Sequence, residues 1–194
     1  IARLKEEILA TGEILRTEGY DAEADIIQTH VFILDDAGLR DKVVAKIEKD
    51  GLTAEVAVAR VFGELKRRLE SSTHEVVREK AADIEDLRRR LGTMFGERIH
   101  NNVRSIAAIV EEPAFVTREL LVSEVIEAKA NGVLAIITET GTALSHAAIL
   151  ARAFDIPVLR VPAVTSLRGI AGTRVLVDTE NGRFGARRGR SILE

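Results

Sequence analysis

The sequence predicts two structural classes in one chain: an all-helical bundle over residues 1–112, joined to an α/β subdomain over residues 113–194. Three observations carry this. Apolar residues recur at three- and four-residue spacing through most of the first part. After it, short apolar runs of strand length alternate with helical stretches. The composition changes at the same place. Residues 1–112 hold 18 basic and 23 acidic side chains, residues 113–194 hold 10 and 8, and all three prolines fall in the second part.

Ile1, Leu4, Ile8, Thr11 and Leu15 predict a first helix, with Gly19 just past its end. Ile26, Ile27, Val31, Ile33 and Leu34 predict a second. Leu39, Val43, Val44 and Ile47 predict a short third, closed by Asp50-Gly51. Thr53 is the expected cap of a fourth helix with the stripe Val58, Phe62, Leu65 and Leu69. Ser72 and Glu75 have the spacing of a capping box. They open a fifth helix, with Val77, Ala81, Ile84, Leu87, Leu91 and Phe95 on one face. Five apolar faces must be buried against one another, hence a bundle.

In the second part Ala114 to Leu120 predicts a strand, and Ser123 is the expected cap of a helix ending at Asn131-Gly132. Gly132 to Thr138 is a continuous apolar run, as in a strand covered on both faces. His146 to Phe154 predicts a helix and Pro157 to Val161 a strand. Thr173 to Asp178, followed by Glu180 to Phe184, predicts a hairpin turning at Asn181-Gly182. The run Ala186 to Arg190 is expected to start a linker.

Composition excludes several classes. Lys and Arg total 28 against 31 Asp and Glu, and aromatics are 4%. A nucleic-acid surface built on basic excess and base stacking is therefore not expected. No Cys means no disulfide framework and no thiolate metal site. No run reaches the roughly 18 apolar residues of a membrane span. The expected protein is soluble and cytoplasmic. It starts at Ile1 inside a helical pattern, which suggests a piece of a longer chain.

The chemistry is expected in Thr138 to Arg152, TETGTALSHAAILAR. A buried strand ends, a loop of small and hydroxyl residues follows, and a helix starts at Ser145-His146. A helix's first turn presents unpaired N–H groups and the positive end of its dipole, which favour an anion. Ser145 as cap puts His146 at the first helical position. Arg152, six residues on, adds a charge-assisted contact only if the chain folds back, since helix spacing alone places it some distance away. On pattern alone, a lone His at a helix start is more often solvent-facing than catalytic. His30, His74, His100 and His146 lack ligand-like spacing for a metal. No Lys follows the glycine as in a Walker loop.

Ser145-His146-AAILAR followed by DIPVL resembles the phosphohistidine loop of phosphoenolpyruvate-utilising enzymes. Glu79 to Leu91 and Thr29 to Val43 are similar to the N-terminal region of enzyme I of the bacterial phosphoenolpyruvate:sugar phosphotransferase system. The resemblance runs in order from near Ile1 to about Phe184. It implies a swivelling α/β phosphohistidine subdomain beside a helical HPr-binding subdomain, and a transferase that passes phosphate from phosphoenolpyruvate through a His to a carrier's His. It makes His146 the phosphorylated nucleophile, with Gly141, Thr142, Ser145 and Arg152 positioning the phosphoryl group. Enzyme I usually reads Gly-Gly-Arg-Thr-Ser-His, where this chain reads Gly141-Thr142-Ala143-Leu144-Ser145-His146. The resemblance also implies no cofactor in this stretch, with Mg²⁺ serving the full-length protein at a C-terminal barrel. A homodimer through that barrel is implied as well, with an HPr-like phosphocarrier as partner. Without the barrel, phosphoenolpyruvate itself is not expected to be used.

A docking face is expected between Arg16 and Arg40, where no Lys or Arg occurs. Glu18, Asp21, Glu23, Asp25, Asp35 and Asp36 interleave there with apolar residues, a pattern suited to a basic, partly apolar partner. The plainer reading is a solvated acidic helix face. The resemblance assigns His30, Phe32, Ile33, Asp35, Asp36 and Leu39 to the carrier. Two rival classes remain: a non-catalytic docking or regulatory module, and the His domain of another multidomain phosphotransferase.

Overall fold

A computed structural model describes residues 1–96, 113–164, 173–188 and 191–193. The chain divides into two compact units, Ile1–His100 and Asn101–Glu194. The expected join at 112/113 falls at the edge of residues 97–112, which lie outside the described residues.

The first unit has five helices: α1 (Ala2–Thr17), α2 (Asp21–Asp35), α3 (Ala37–Asp50), α4 (Ala54–Glu70) and α5 (Glu75–Met94). α1 packs on α2, α3 on α4, and α4 on α5. Their apolar stripes form one core: Leu4, Ile8, Leu15, Ile27, Leu34, Val58, Phe62, Ile84, Leu87 and Leu91 are all buried. The caps are set by residues able to serve the orphan N–H groups. Asp36 accepts from the Leu39 N–H at 2.7 Å, and Thr53 from the Val56 N–H at 3.4 Å. Gly51, in the left-handed region, closes α3.

Two details differ from the sequence reading. The Ser72–Glu75 box does not form. Glu75 is already the first residue of α5, and Ser72 Oγ accepts the His74 N–H at 3.2 Å in the turn before it. Arg78 steadies that turn by donating to the Ser72 and Thr73 carbonyls. Phe95 lies past the end of α5 and is exposed, because the helix stops one residue before the stripe would have buried it.

α5 is buried on more than one face, so it carries carboxylates inward. Glu85 accepts from Arg88 Nε at 3.1 Å, Arg88 Nη2 at 2.9 Å and Arg89 Nε at 2.9 Å, and Lys66 of α4 stands 3.7 Å away. Burial opposes the ionised form. The hydrogen bonds from Arg88 and Arg89 and the charge on Lys66 outweigh it and lower the carboxyl from 4.5 to about 2.

The second unit opens as strand–helix–strand–helix–strand: β1 (Ala114–Glu119), α6 (Val122–Ala130), β2 (Ala135–Thr140), α7 (His146–Ala153) and β3 (Val158–Arg160). The three strands are parallel in the order β1-β2-β3. Ile136 and Ile137 point to opposite faces of the central strand and both are fully buried, so both faces are covered. β2 starts three residues later than the apolar run suggests and ends at Thr140. Ser123 does not cap α6; Leu121 takes the cap position, and its N–H donates to Glu124 Oε2 at 3.0 Å.

β4 (Val175–Asp178), β5 (Arg183–Arg188) and β6 (Ser191–Leu193) make a second, antiparallel sheet. Asp178 pairs with Arg183, so the β4–β5 loop has four residues, and of Asn181 and Gly182 only the glycine takes a positive φ. The Asn181 backbone N–H and then its side-chain amide donate to Asp178 and hold that carboxyl below its usual range. Of the run expected as a linker, residues 186–188 belong to β5, and 189–190 lie outside the described residues.

Candidate functional site

The loop from Gly141 to Ser145 leaves the C-terminal end of the central parallel strand, the edge where open α/β sheets bind their ligands. That edge is tied by threonines. The Thr140 hydroxyl donates to the Arg118 carbonyl at 2.9 Å, the Thr138 hydroxyl to the Thr140 carbonyl at 2.9 Å, and the Val161 N–H to the Thr138 carbonyl at 2.8 Å. Gly141 then turns the chain with φ +111°, a conformation that side chains rarely adopt.

Thr142 organises the next turn. Its hydroxyl accepts the Leu144 N–H and its carbonyl the Ser145 N–H, both at 3.3 Å. Ser145 Oγ accepts the Ala148 N–H at 3.2 Å, so Ser145 caps α7 and His146 opens it. Ala147, Leu150 and Ala151 anchor the buried face of α7, which leaves His146 half-buried at the positive end of the helix dipole. At the other end Lys129 of α6 lies 4.4 Å over the Phe154 ring. Helix spacing suggests that Arg152 stands away from the site, yet its side chain reaches the loop. Its Nη2 donates to the Ala143 carbonyl at 3.3 Å, inside the loop itself. Gly141, Thr142, Ser145, His146 and Arg152 are thus brought into one neighbourhood. Thr142 and Arg152 serve backbone groups there, a duty that residue types alone do not announce. Arrangements of this kind offer an imidazole beside backbone N–H donors, suited to a transferable anion.

In the helical unit a cleft of about 710 Å³ opens between α2, α3, α4 and α5. It collects four of the six expected carrier contacts: Phe32, Ile33, Asp36 and Leu39. Phe32 is 75% exposed, which is unusual for so large an apolar side chain. The other two lie elsewhere. His30 is completely buried, its Nε2 3.5 Å from Asp83 Oδ1, with neither ring nitrogen hydrogen-bonded among the described residues. A ring without exposed surface makes no contact with a partner, so His30 is withdrawn as a contact residue. Asp35 is paired with Lys5 of α1 and does not line the cleft.

The charge pattern is also corrected. Three acids of the run are ion-paired inside the unit, with Asp21 and Asp25 sharing Arg16 at 3.7 and 2.7 Å and Asp35 on Lys5. Around the cleft stand Lys42, Arg68 and Lys80, none with an ion pair among the described residues, together with Asp36 and Glu64. The rim is mixed in charge, not acidic. A scan for like charges along the chain misses this, because the cations come from three other helices.

Comparison with known proteins follows the same division. Residues 1–80 match the family model described as PEP-utilising enzyme, N-terminal, and residues 110–182 match PEP-utilising enzyme, mobile domain. The chain belongs to the phosphoenolpyruvate-utilising enzymes. Among its relatives, phosphoenolpyruvate-protein phosphotransferase of Bacillus subtilis (strain 168) is 33% identical over 188 residues, covering 94% of this chain and 31% of the relative. The protein of that name from Priestia megaterium is 30% identical over 184 residues, covering 94% of this chain and 30% of the relative. The chain thus spans about a third of the length of the curated relatives it matches. A solution structure of enzyme I superposes with a TM-score of 0.62 at 26% identity, covering 96% of this chain and 74% of that one. The N-terminal domain of Enzyme 1 - Nitrogen shares the fold, with a TM-score of 0.55 at 22% identity over 94% of this chain and 74% of that one. Over these residues the chain corresponds to the N-terminal region of enzyme I.

Proposed function

We propose that this chain is the phosphohistidine and carrier-docking part of a phosphoenolpyruvate-protein phosphotransferase. One observation carries the reading. Both family matches fall in order along the chain, and the mobile-domain match contains a His at the capped start of a helix on the ligand edge of a parallel sheet. His146 takes the phosphoryl group. It passes the group on to a carrier His, and in the reverse step a nitrogen of its imidazole attacks the phosphorus of a phosphorylated carrier His. The new N–P bond forms as the carrier's N–P bond breaks, the electron pair returns to the carrier's ring, and that ring takes up the proton that the His146 ring gives up. Catalysis rests on in-line placement and on N–H donors that face spread negative charge. The partner is an HPr-like phosphocarrier that meets the helical unit at the Phe32 cleft.

The domains divide as 1–112 for docking and 113–194 for a swivelling phosphohistidine body. The proposed location is cytoplasmic; among the described residues no helix is long and apolar enough to cross a membrane. Mg²⁺ and dimerisation belong to the barrel of the complete protein. Among the described residues no group of three or more His, Asp or Glu is placed to hold a metal ion.

The test is incubation with a ³²P-labelled phosphocarrier. Acid-labile label is expected on the wild-type chain and none on His146→Ala, with phosphoenolpyruvate alone giving no label. Label retained by His146→Ala refutes the assignment. The replaced residues Thr142, Ala143 and Leu144 favour a second reading, a docking module without transfer. Carrier binding without label on the wild type selects it.

A further inference from the structure

We propose that Arg152 is a positioning residue for His146, acting through the backbone of the loop before it and not as a ligand of the phosphoryl group. The inference rests on the phosphohistidine reading above. Residues 141–144 are all exposed, Leu144 at 72%, so side-chain packing does not hold this loop in shape. Hydrogen bonds do. Those from Leu144 and Ser145 to Thr142 close over two or three residues. The bond from Arg152 spans nine residues and ties the Ala143 carbonyl to the last turn of α7.

Helix geometry makes the latch possible. Arg152 follows Ser145 by seven residues, two turns on the same face. Helical side chains lean toward the N-terminus, so the long arginine runs back along α7 to the loop that feeds it. The segment has a ready pivot at Gly141, whose φ is +111° and whose Cβ position has nothing within 4 Å. Movement there shifts the Ser145 cap and, with it, the ring of His146. Lysine keeps the charge but offers a point donor on a flexible stem, so it restores the latch only in part.

The test uses the full ¹⁵N-labelled chain in three forms: wild type, Arg152→Lys and Arg152→Gln. Amide hydrogen exchange at Leu144, Ser145 and Ala148 is read without any phosphate present. A lost hydrogen bond from a charged donor predicts about tenfold faster exchange in Arg152→Gln and a smaller rise in Arg152→Lys. Transfer from the labelled phosphocarrier is expected to lose kcat by a similar factor with KM for the carrier unchanged. Unchanged exchange in Arg152→Gln overturns the proposal. So does a variant that raises KM at constant kcat, or one that slows transfer without loosening the loop, since either makes Arg152 a direct ligand. If the wild type takes up no phosphate, the functional reading fails, and the exchange comparison still upholds or overturns the latch.

Discussion

Replacing Glu85 by Gln leaves the shape of α5 intact but removes the charge that Arg88, Arg89 and Lys66 converge on. The carboxyl is held at about 2, against 4.5 when unperturbed. A folded-state value below the unfolded one means stabilisation that is fully present above pH 4.5 and lost as pH falls toward 2. A shift of that size corresponds to about 3 kcal/mol at neutral pH. Because the arginines are partly exposed, screening reduces this to roughly 1–2 kcal/mol. The assay is urea unfolding at pH 7 and pH 3, followed by far-UV circular dichroism and by the fluorescence of Tyr20. That residue is the one tyrosine of the chain, lies between α1 and α2, and so reports on the helical unit. Glu85→Gln is expected to be less stable than wild type at pH 7, with the gap narrowing by about half or more at pH 3. A variant as stable as wild type at pH 7, or a gap that stays constant between the two pH values, refutes the reasoning.

Phe32→Ala is expected to leave the unfolding midpoint nearly unchanged, since the ring is 75% exposed, while weakening carrier binding about tenfold by calorimetry. Binding equal to wild type removes Phe32 from the docking surface. Asp155 ends α7 in the left-handed region at φ 55°, with the Ile156 N–H on the Ala151 carbonyl at 2.9 Å. Asp155→Gly relieves that strain and is expected to stabilise the second unit by about 0.5–1 kcal/mol in urea unfolding.

How much the sequence conveyed depended on how local each feature is. The bounds of α3 and α4 were legible because Asp50-Gly51 and Thr53 act on their own neighbours. Ser145 as cap of α7 was legible for the same reason. Local rules also gave false signals where two of them competed. Ser72 and Glu75 have the spacing of a box, yet Ser72 serves the turn and His74 takes the cap position. Ser123 loses the cap position of α6 to Leu121 once Glu124 receives the Leu121 N–H. β6 went unread because Ser191–Leu193 is too short to show a period and is defined by its partner β5.

By itself, then, the sequence determined the division into a helical and an α/β part, the stripes that make each core, and the placing of His146 at a helix start. These follow from periodicity and from residues acting within one turn. Tertiary structure alone decided which charges and side chains are available. It buried His30, paired Asp21, Asp25 and Asp35 with Arg16 and Lys5, set Lys42, Arg68 and Lys80 around the Phe32 cleft, and brought Arg152 onto the Ala143 carbonyl. The pairings across helices depend on how packed helices present their faces, and even the Arg152 contact depends on where the loop turns. Spacing along the chain determines neither.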